Sequence, residues 1–358
     1  MIDTKRFKYV PGNPGVTLFD AVADMDNLLL AHENASRGKK WYPEVKMVDS
    51  DPIRYCLKIQ NMLLGKSYKT SKYDIFYKIE GSKLRKIYKL PYYPDRIVQW
   101  ALLQIIGPIL ENTFTIDTYS SLPNRGPLKC AKNVCNAIAH YNNRELYYLK
   151  IDIRHFYPSI NHDRLKMKYR RLFKDDDLLW LIDEIIDSVG ESEGVPIGNY
   201  LSQYSGNLYL TAFDHFVKEI LHVENYFRYM DDMVFLNISK TYLHYIFNII
   251  KHYLEDIELL TIKSNYQVSC VDTEGLDFVG YIINKDYILM RKRIKKNYVF
   301  RMKRFITIPI NDHARSSFGS YKGFLQHADT YNLQSKYGLE VAKKWNIRFK
   351  LETRKSCI

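Results

Sequence analysis

Apolar residues recur at three- and four-residue spacing along several stretches of the chain, and this spacing predicts amphipathic helices. In the first stretch, Leu18, Ala21, Met25 and Leu28 fall on one helical face. Asn161 is a residue type that caps the start of a helix, and a helical pattern follows it directly. Helices are predicted over residues 16–36, 52–64, 95–114, 162–173, 177–189, 200–221 and 241–260.

Shorter apolar runs predict β-strands between these helices. Residues 146–153 form an apolar run with an acidic residue near its end, which is typical of a buried strand. Residues 73–79 and 83–90 flank a Glu-Gly-Ser turn and carry many basic side chains, which predicts a basic β-hairpin. A second hairpin is predicted over 226–237 and a strand over 276–283. The alternation of strands and helices predicts an α/β sheet domain flanked by helical segments.

Composition and charge narrow the class of protein. The chain has 358 residues, which predicts one large or two to three smaller units, and 46% of them are hydrophobic. Its formal net charge of +13 favours a polyanionic partner, either nucleic acid or an anionic membrane surface. No apolar run reaches the roughly 18 residues of a membrane span, and no apolar segment follows the first basic residues, so a cytoplasmic protein is expected. The five cysteines are scattered, which predicts reduced thiols.

Three acidic residues carry the candidate chemistry. Asp231 and Asp232 lie together between two apolar, strand-like runs, where two like charges repel each other unless a cation compensates them. A solvated turn would explain this pair alone, but Asp152 ends a predicted buried strand 79 positions earlier. One carboxylate on a strand and two on a neighbouring hairpin form a ligand set for two Mg²⁺ ions. Two such ions, about 4 Å apart, are the arrangement that catalyses nucleotidyl transfer.

These motifs resemble those of the reverse transcriptase family over roughly residues 50–340. Asp152 and the aromatic Tyr157 look like the first palm motif, and Tyr229-Met230-Asp231-Asp232 looks like the YxDD box. The resemblance implies that Asp152, Asp231 and Asp232 bind two Mg²⁺ ions, with Mn²⁺ as a possible substitute. It also implies that Tyr157 stacks under the incoming sugar and rejects a 2′-hydroxyl.

The same resemblance implies an α/β (α+β) right-hand polymerase with fingers, palm and a short helical thumb. The expected domains are an N-terminal helical segment (1–72), fingers (73–140), a palm with helical insertions (141–285) and a thumb (286–358).

Further candidate residues follow from the resemblance. Lys263 matches a lysine expected to protonate the pyrophosphate leaving group. The loop 194–203 matches a motif that contacts the template base and the nucleotide, in which Gly198 allows close approach of the backbone. The nucleotide-binding residues implied are Lys83, Arg85, Ile153, Tyr157, Gly198, Gln203, Tyr229 and Met230. The nucleic-acid-binding residues implied are Arg125, Gly126, Gly280 (in a segment like the primer-grip hairpin), Arg291, Lys292, Arg293, Lys295 and Lys296.

The expected reaction is RNA-directed DNA synthesis from a dedicated structured RNA, a DNA or RNA primer and dNTPs. Ser202-Gln203 resembles bacterial enzymes of diversity-generating retroelements, which work with an accessory protein. An antiviral-defence reverse transcriptase is the alternative; it would use a noncoding RNA or a partner protein, such as a second reverse transcriptase, and make repetitive DNA. A template-independent nucleotidyltransferase and an inactive RNA-binding scaffold are the remaining hypotheses, and no membrane partner is expected.

Overall fold

The computed structural model describes residues 16–80, 83–141, 143–346 and 351 of the chain. The strands are β1 (Asp74–Glu80), β2 (Lys83–Lys89), β3 (Tyr147–Asp152), β4 (Asn225–Tyr229), β5 (Asp232–Asn237), β6 (Gln267–Cys270), β7 (Leu276–Phe278), β8 (Tyr281–Ile283) and β9 (Ile288–Met290). The helices are α1 (Leu18–Ala23), α2 (Met25–Ser36), α3 (Pro43–Ser50), α4 (Pro52–Leu64), α5 (Ile97–Glu111), α6 (Pro127–His140), α7 (His162–Leu172), α8 (Asp176–Asp187), α9 (Tyr200–His215), α10 (Lys240–His252), α11 (Val271–Glu274), α12 (Lys292–Thr307), α13 (Asp312–Leu325), α14 (Tyr331–Leu333) and α15 (Leu339–Lys344).

The chain divides into two compact units. The first consists of the described residues of Met1–Thr115 together with Arg154–His215 and Glu255–Leu260. The second consists of the described residues of Ile116–Ile153, Phe216–Leu254 and Thr261–Ile358. The predicted domain boundaries at 72, 140 and 285 stay predictions.

The first unit is built around α5. This helix is apolar on nearly all sides and buries ten of its fifteen residues, as expected for a helix with neighbours all round. It packs against α1, α2 and α9. The basic hairpin of β1 and β2 belongs to the same unit and pairs antiparallel from Asp74–Lys89 to Glu80–Lys83. The hairpin prediction is confirmed.

The second unit contains an antiparallel sheet in the order β4-β5-β3-β6. Helix α10 packs on β3, β5 and β6, and α6 contacts β4. A second antiparallel sheet, β7-β8-β9, is followed by α12 and α13. The predicted strand over 146–153 and hairpin over 226–237 are confirmed, and with them the mixed helix-and-sheet class.

Two element predictions are wrong. The helix predicted over 16–36 breaks at Asp24, because the Asp24 carboxylate accepts hydrogen bonds from the amides of Asp26 and Asn27 and starts a new helix. The strand predicted over 276–283 is instead two short strands around a turn at Val279 and Gly280, both with positive φ. Among the described residues, no helix is long and apolar enough to cross a bilayer.

Candidate active site

Strand register brings the first and third carboxylates together. Asp152 ends β3 and Asp232 begins β5, and the two residues are direct cross-strand partners. Side chains alternate along a strand, and directly opposed residues share a face of the sheet. Asp152 and Asp232 therefore point to the same face, and Lys150, two residues before Asp152, points there too. The predicted proximity of Asp152 to the acidic pair is confirmed within the second unit.

The second carboxylate lies in the turn that joins β4 to β5. Tyr229 pairs with Asp232, so Met230 and Asp231 form a two-residue turn. Met230 has a φ of 59°, a left-handed conformation that a side chain with a Cβ adopts at a cost of about 1–2 kcal/mol. The turn is tied to β3 because the amide of Ile153 donates to the Asp231 carbonyl at 3.2 Å.

Burial sets the electrostatics of Asp232. Desolvation raises the pKa of its carboxyl to about 7, the nearby Lys150 opposes this rise, and the charges of Asp152 and Asp231 add to it. One carboxylate oxygen, Oδ1, is buried and has no hydrogen-bond partner. Its other oxygen, Oδ2, lies 3.8 Å from the Lys150 ammonium. A buried carboxylate with an orphaned oxygen is unfavourable unless a cation completes it.

Lys263 holds the Asp152 carboxylate. Its ammonium forms an ion pair with Asp152 Oδ1, and its backbone amide donates to the Asp152 carbonyl at 2.9 Å. An isolated bridge between Ile153 and Ile262 keeps the two segments aligned. Lys263 was predicted as a proton donor to the leaving group, and the structure places its ammonium at the carboxylate cluster.

The donor set fits a hard divalent cation. Three carboxylates, one of them with an orphaned oxygen, are the ligands that Mg²⁺ and Mn²⁺ prefer. Within the described part of the chain, no three His, Cys, Asp or Glu side chains stand close enough to hold a metal ion as they are placed. Lys150 and Lys263 supply the positive charge at the cluster in this arrangement. Divalent cations would therefore compete with these two lysines for the carboxylates.

We expect Lys263→Met to change metal affinity and turnover in opposite directions. Removing the ammonium frees Asp152, so the Mn²⁺ or Mg²⁺ concentration for half-maximal stabilisation should fall about two- to tenfold, which corresponds to about 0.4–1.4 kcal/mol. If Lys263 is the proton donor that the sequence predicts, its loss should also lower kcat by about 10²-fold. Thermal unfolding at graded metal concentrations and single-nucleotide incorporation measure the two effects. Lys40→Met, which removes an exposed ion pair with Asp49, is the control; an unchanged metal midpoint in Lys263→Met contradicts the competition.

Next to the carboxylates, Lys150 connects the sheet to the β7–β8 hairpin. Its ammonium donates to the Asp277 carbonyl at 2.5 Å, and the Asp277 carboxylate pairs with Arg291 Nε at 2.5 Å. Arg291 was predicted to bind nucleic acid; here its guanidinium is half-buried and anchors the hairpin. Its backbone amide also donates to the Gly280 carbonyl at 2.9 Å.

Gly280 has a local structural reason to be glycine. Its φ is 94°, and a Cβ at this position would lie 3.0 Å from the Phe324 ring and 3.1 Å from Ile294. The turn is thus pressed against α12 and α13. Its predicted contact with nucleic acid stays a prediction.

The basic residues predicted to bind nucleic acid begin α12. They lie in its first turns, all exposed, and the first turn contains no acidic residue. Cations at a helix N-terminus are unfavourable because the helix dipole is positive there. A bound polyanion would relieve this repulsion. The residues are Lys292, Arg293, Lys295 and Lys296.

Arg125 and Gly126 lead into α6, a helix that the sequence analysis did not predict. Arg125 donates to the Thr118 carbonyl at 2.6 Å and is half-buried. Gly126, with a φ of 116°, precedes Pro127 at the first helical position. Proline is favoured there because its missing N–H would have no partner in any case, so Pro127 is a helix-start signal that pattern reasoning overlooked.

The remaining nucleotide-binding candidates lie in the first unit. Arg85 is exposed on β2 directly opposite Lys78, and two cations in direct cross-strand register repel each other. Lys83 pairs with Glu80 in the backbone register, and its side chain lies outside the described part of the structure.

Tyr157, Gly198 and Gln203 also belong to the first unit. Tyr157 opens a short 3₁₀ turn, is half-buried, and its carbonyl accepts from the Val195 amide at 3.0 Å. Gln203 is exposed in the first turn of α9. Gly198 has a φ of 130°, and a Cβ on it would overlap the Tyr88 carbonyl oxygen. Close approach at Gly198 is therefore real, and its partner in the structure is the β2 backbone.

Two residues of the site were missed by sequence reasoning. Lys150 stood two residues before Asp152, at a position that strand alternation puts on the same face, so period-two reasoning was sufficient to find it. Arg228 precedes Tyr229 and is fully buried. A charged residue within an apolar strand was the available signal, since arginine is almost never buried without partners.

Comparison with protein families gives one match that spans most of this region. The family model described as "Reverse transcriptase (RNA-dependent DNA polymerase)" matches residues 77–283, which is more than half of the chain. All three carboxylates, Lys150 and Lys263 lie within the matched span.

Comparison with individual proteins gives more distant similarity. Protein YkfC of Escherichia coli (strain K12) is 28% identical over 148 residues, 39% of this chain and 39% of that protein. The match thus spans about two fifths of the curated relative. Telomerase from Candida albicans, solved with a fragment of telomeric RNA, aligns with a TM-score of 0.48 and 13% identity over 77% of this chain and 55% of that one. Telomerase from Candida tropicalis, also with an RNA fragment, gives 0.49 and 11% over 83% and 59%.

Proposed function

This chain belongs to the reverse transcriptase (RNA-dependent DNA polymerase) family, and we propose that it is an active RNA-directed DNA polymerase. The observation that carries the proposal is the pairing of Asp152 with Asp232 across β3 and β5, with Asp231 in the adjoining turn. This arrangement brings the three acidic residues to one end of the two central strands of the sheet, which is costly in the absence of cations and is suited to nucleotidyl transfer.

In the proposed reaction, the 3′-hydroxyl of a primer loses its proton to solvent and its oxygen bonds to the α-phosphorus of a dNTP. The bond from that phosphorus to the oxygen bridging to the β-phosphate breaks, and pyrophosphate leaves. Asp152, Asp231 and Asp232 would hold two divalent cations. When bound, these cations lower the pKa of the attacking hydroxyl and neutralise charge on the transferred phosphate. Lys263 then donates a proton to the departing pyrophosphate oxygen. Its ion pair with Asp152 places the ammonium beside the carboxylates that would hold the cations.

We propose substrate-binding roles for residues of each unit separately. Arg85 and Lys83 of the basic hairpin would bind the triphosphate, since the planar guanidinium of Arg85 suits phosphate oxygens. In the first unit, Tyr157, Gly198 and Gln203 are proposed to contact the nucleotide and template base. In the second unit, Ile153, Tyr229 and Met230 are proposed to bind the nucleotide. The basic start of α12, with Arg125, Gly126, Gly280 and Arg291, would face the template and primer backbones.

For the biological role we propose a bacterial retroelement of the diversity-generating type. Support comes from Ser202-Gln203, which opens α9 with the serine buried and the glutamine exposed. The exposed amide can donate to and accept from a base edge. Errors concentrated at template adenines are the expected product signature, whereas short repetitive DNA would favour the antiviral-defence alternative.

The direct test uses the full chain purified with the RNA that accompanies it. We expect Mg²⁺ and labelled dNTPs to yield DNA complementary to one co-purified RNA, and we expect no product after RNase treatment. The variant Asp231→Ala/Asp232→Ala should reduce incorporation by at least about 10³-fold, because carboxylates that hold catalytic cations carry much of the rate.

The alternatives give different results in the same experiment. DNA made after complete removal of RNA would overturn RNA templating and favour a template-independent nucleotidyltransferase. Synthesis that survives in the double variant would refute the carboxylate assignment. If the chain alone makes no product, a defined RNA annealed to a DNA primer is supplied, and failure on that substrate with the co-expressed neighbouring gene products would contradict the polymerase proposal.

A further inference from the structure

Arg228 is the largest side chain that the described structure buries completely. It lies on β4, paired across the sheet with Met233. Met233 is one residue from Asp232, so Arg228 points to the face opposite the carboxylates. Burying a guanidinium costs several kcal/mol of desolvation, as it does for other ions, unless the group is well hydrogen-bonded.

The guanidinium joins the carboxylate-bearing turn to the segment that contains Thr118. Nη1 donates to the Met230 carbonyl at 3.1 Å, and Nη2 donates to the Thr118 hydroxyl at 3.3 Å. The hydrogen bond to the Met230 carbonyl supports the two-residue turn from the face opposite the carboxylates. Met230 has a left-handed backbone conformation, which is unfavourable for a residue with a side chain. Without the hydrogen bond from Arg228, the turn would readily change conformation and reorient the Met230 carbonyl.

The backbone of Arg228 is fixed as firmly as its side chain. Its amide donates to the Asp117 carbonyl, and its carbonyl accepts from the Tyr119 amide, both at 2.9 Å. Thr118 forms a parallel bridge with it. The segment 117–119 therefore extends the sheet beyond β4, and the forked side chain joins this segment to the turn. The planar five-donor group of arginine suits such a fork, whereas lysine offers a single point of donation.

We propose that Arg228 is a positioning residue that sets the metal affinity of the carboxylate cluster through the Met230 carbonyl. It fixes the peptide between Met230 and Asp231 and hence the direction in which the Asp231 side chain leaves the turn. This inference rests on the proposed function, since it assigns the cluster a bound divalent cation.

The test measures metal binding and turnover separately in Arg228→Lys. Mn²⁺ binding to the full chain without substrates is followed by electron paramagnetic resonance of free Mn²⁺. We expect a five- to twentyfold weaker Mn²⁺ affinity and a ten- to hundredfold lower kcat, with KM for dNTP changed less than about threefold. Thr118→Val, which removes only one arm of the fork, should weaken Mn²⁺ binding about two- to threefold. Arg170→Lys, in a surface ion pair with Asp183, should match the parent.

A purely structural role predicts a different pattern. It would lower the unfolding temperature and the active fraction while each folded molecule retained the parental Mn²⁺ affinity, and that outcome overturns the proposal. If Arg228→Lys does not fold, Thr118→Val decides: parental Mn²⁺ affinity in that variant also overturns it. Because Mn²⁺ binding is read without nucleic acid, an inactive parent chain would count against the polymerase proposal alone, and a parent that binds no Mn²⁺ would count against both.

Discussion

Replacing Asp232 with asparagine is expected to abolish DNA synthesis while leaving the protein at least as stable as the parent. The activity loss, at least about 10³-fold in kcat, follows from removal of a carboxylate that would hold a catalytic cation. Stability should not fall, because the parental carboxylate is buried, has an orphaned oxygen and has its pKa raised to about 7. Asparagine keeps the shape without the charge. At pH 8 and without metal, we expect a gain on the order of 1–3 kcal/mol.

The pH dependence gives this prediction a second readout. An aspartate with a raised pKa in the folded state binds its proton more tightly there than in the unfolded chain. Its contribution therefore makes the folded state less stable as pH rises from about 4 to about 7, by up to about 1.4 kcal/mol per pH unit, and changes no further above that. The stability difference between Asp232→Asn and the parent should grow over this window and then level.

Denaturant unfolding in EDTA at pH 5, 6, 7 and 8 measures that difference. Asp272→Asn is the matched control, since Asp272 pairs with Lys285 away from the cluster and lies in the same unit. We expect it to retain activity and to show no growing stabilisation. More than about a tenth of the parental kcat in Asp232→Asn would show that this carboxylate is not a ligand, and a loss of stability at pH 8 would show that its burial is not costly.

Gly198→Ala is expected to damage the first unit by a steric mechanism. The added Cβ would overlap the Tyr88 carbonyl oxygen, which is backbone and cannot rotate away as a side chain would. The Tyr88 amide donates to the Ile197 carbonyl at 3.0 Å, so the same contact joins the basic hairpin to the loop before α9. Left-handed strain and overlap together should cost about 3 kcal/mol or more. A fall in kcat/KM for dNTP of at least about tenfold should accompany it if the hairpin binds the triphosphate.

Gly190→Ala separates the two causes. Gly190 has a φ of 75°, and a Cβ there would meet nothing within 4 Å. It therefore carries the conformational strain without the overlap, and a loss of about 1 kcal/mol is expected. Chemical denaturation of both variants provides the comparison. Equal losses would contradict the proposed clash, and an undisturbed kcat/KM in a destabilised Gly198→Ala would remove the hairpin from nucleotide binding.

The sequence predicted the structure correctly where acidic residues coincided with apolar, strand-like runs. Asp152 ended an apolar run, and Asp231 and Asp232 interrupted another, so two strands carrying acids could be predicted and were found as β3 and the β4–β5 hairpin. The family resemblance then supplied the polymerase fold. Individual roles for Arg85, Tyr157 and Gly198 stay predictions, because a motif fixes a residue's identity and not its partners.

What the sequence could not provide is register. The alternation expected for half-buried strands is absent in β5, where Met233, Val234, Phe235 and Leu236 are all buried. No polar position marks which face Asp232 shares. Only the pairing of Asp152 with Asp232 shows that Asp232 shares the face of Asp152 and Lys150 and that Arg228 lies on the opposite face. For the same reason, the lysine that pairs with each carboxylate was not predicted.

At two positions, local capping signals and hydrophobic periodicity predicted different helix boundaries. Asp24 lies at helical spacing within 16–36, yet its carboxylate caps α2 and divides the helix. Pro127 interrupts helical periodicity in the sequence, although it is a favourable first residue for α6. Each of these two residue types can either lie within a regular element or mark its boundary. In the structure both mark the start of a helix, which the hydrophobic periodicity did not indicate.

The register between β3 and β5 also limits how such a chain can vary in length. Deleting or inserting one residue within 225–237 moves every following side chain of the hairpin to the other side of the sheet. The Asp232 carboxylate would then exchange places with an apolar neighbour, and catalysis and core packing would fail in one step. Natural length variation and recombination breakpoints in engineered libraries should therefore avoid this hairpin, while single substitutions within it remain open to selection.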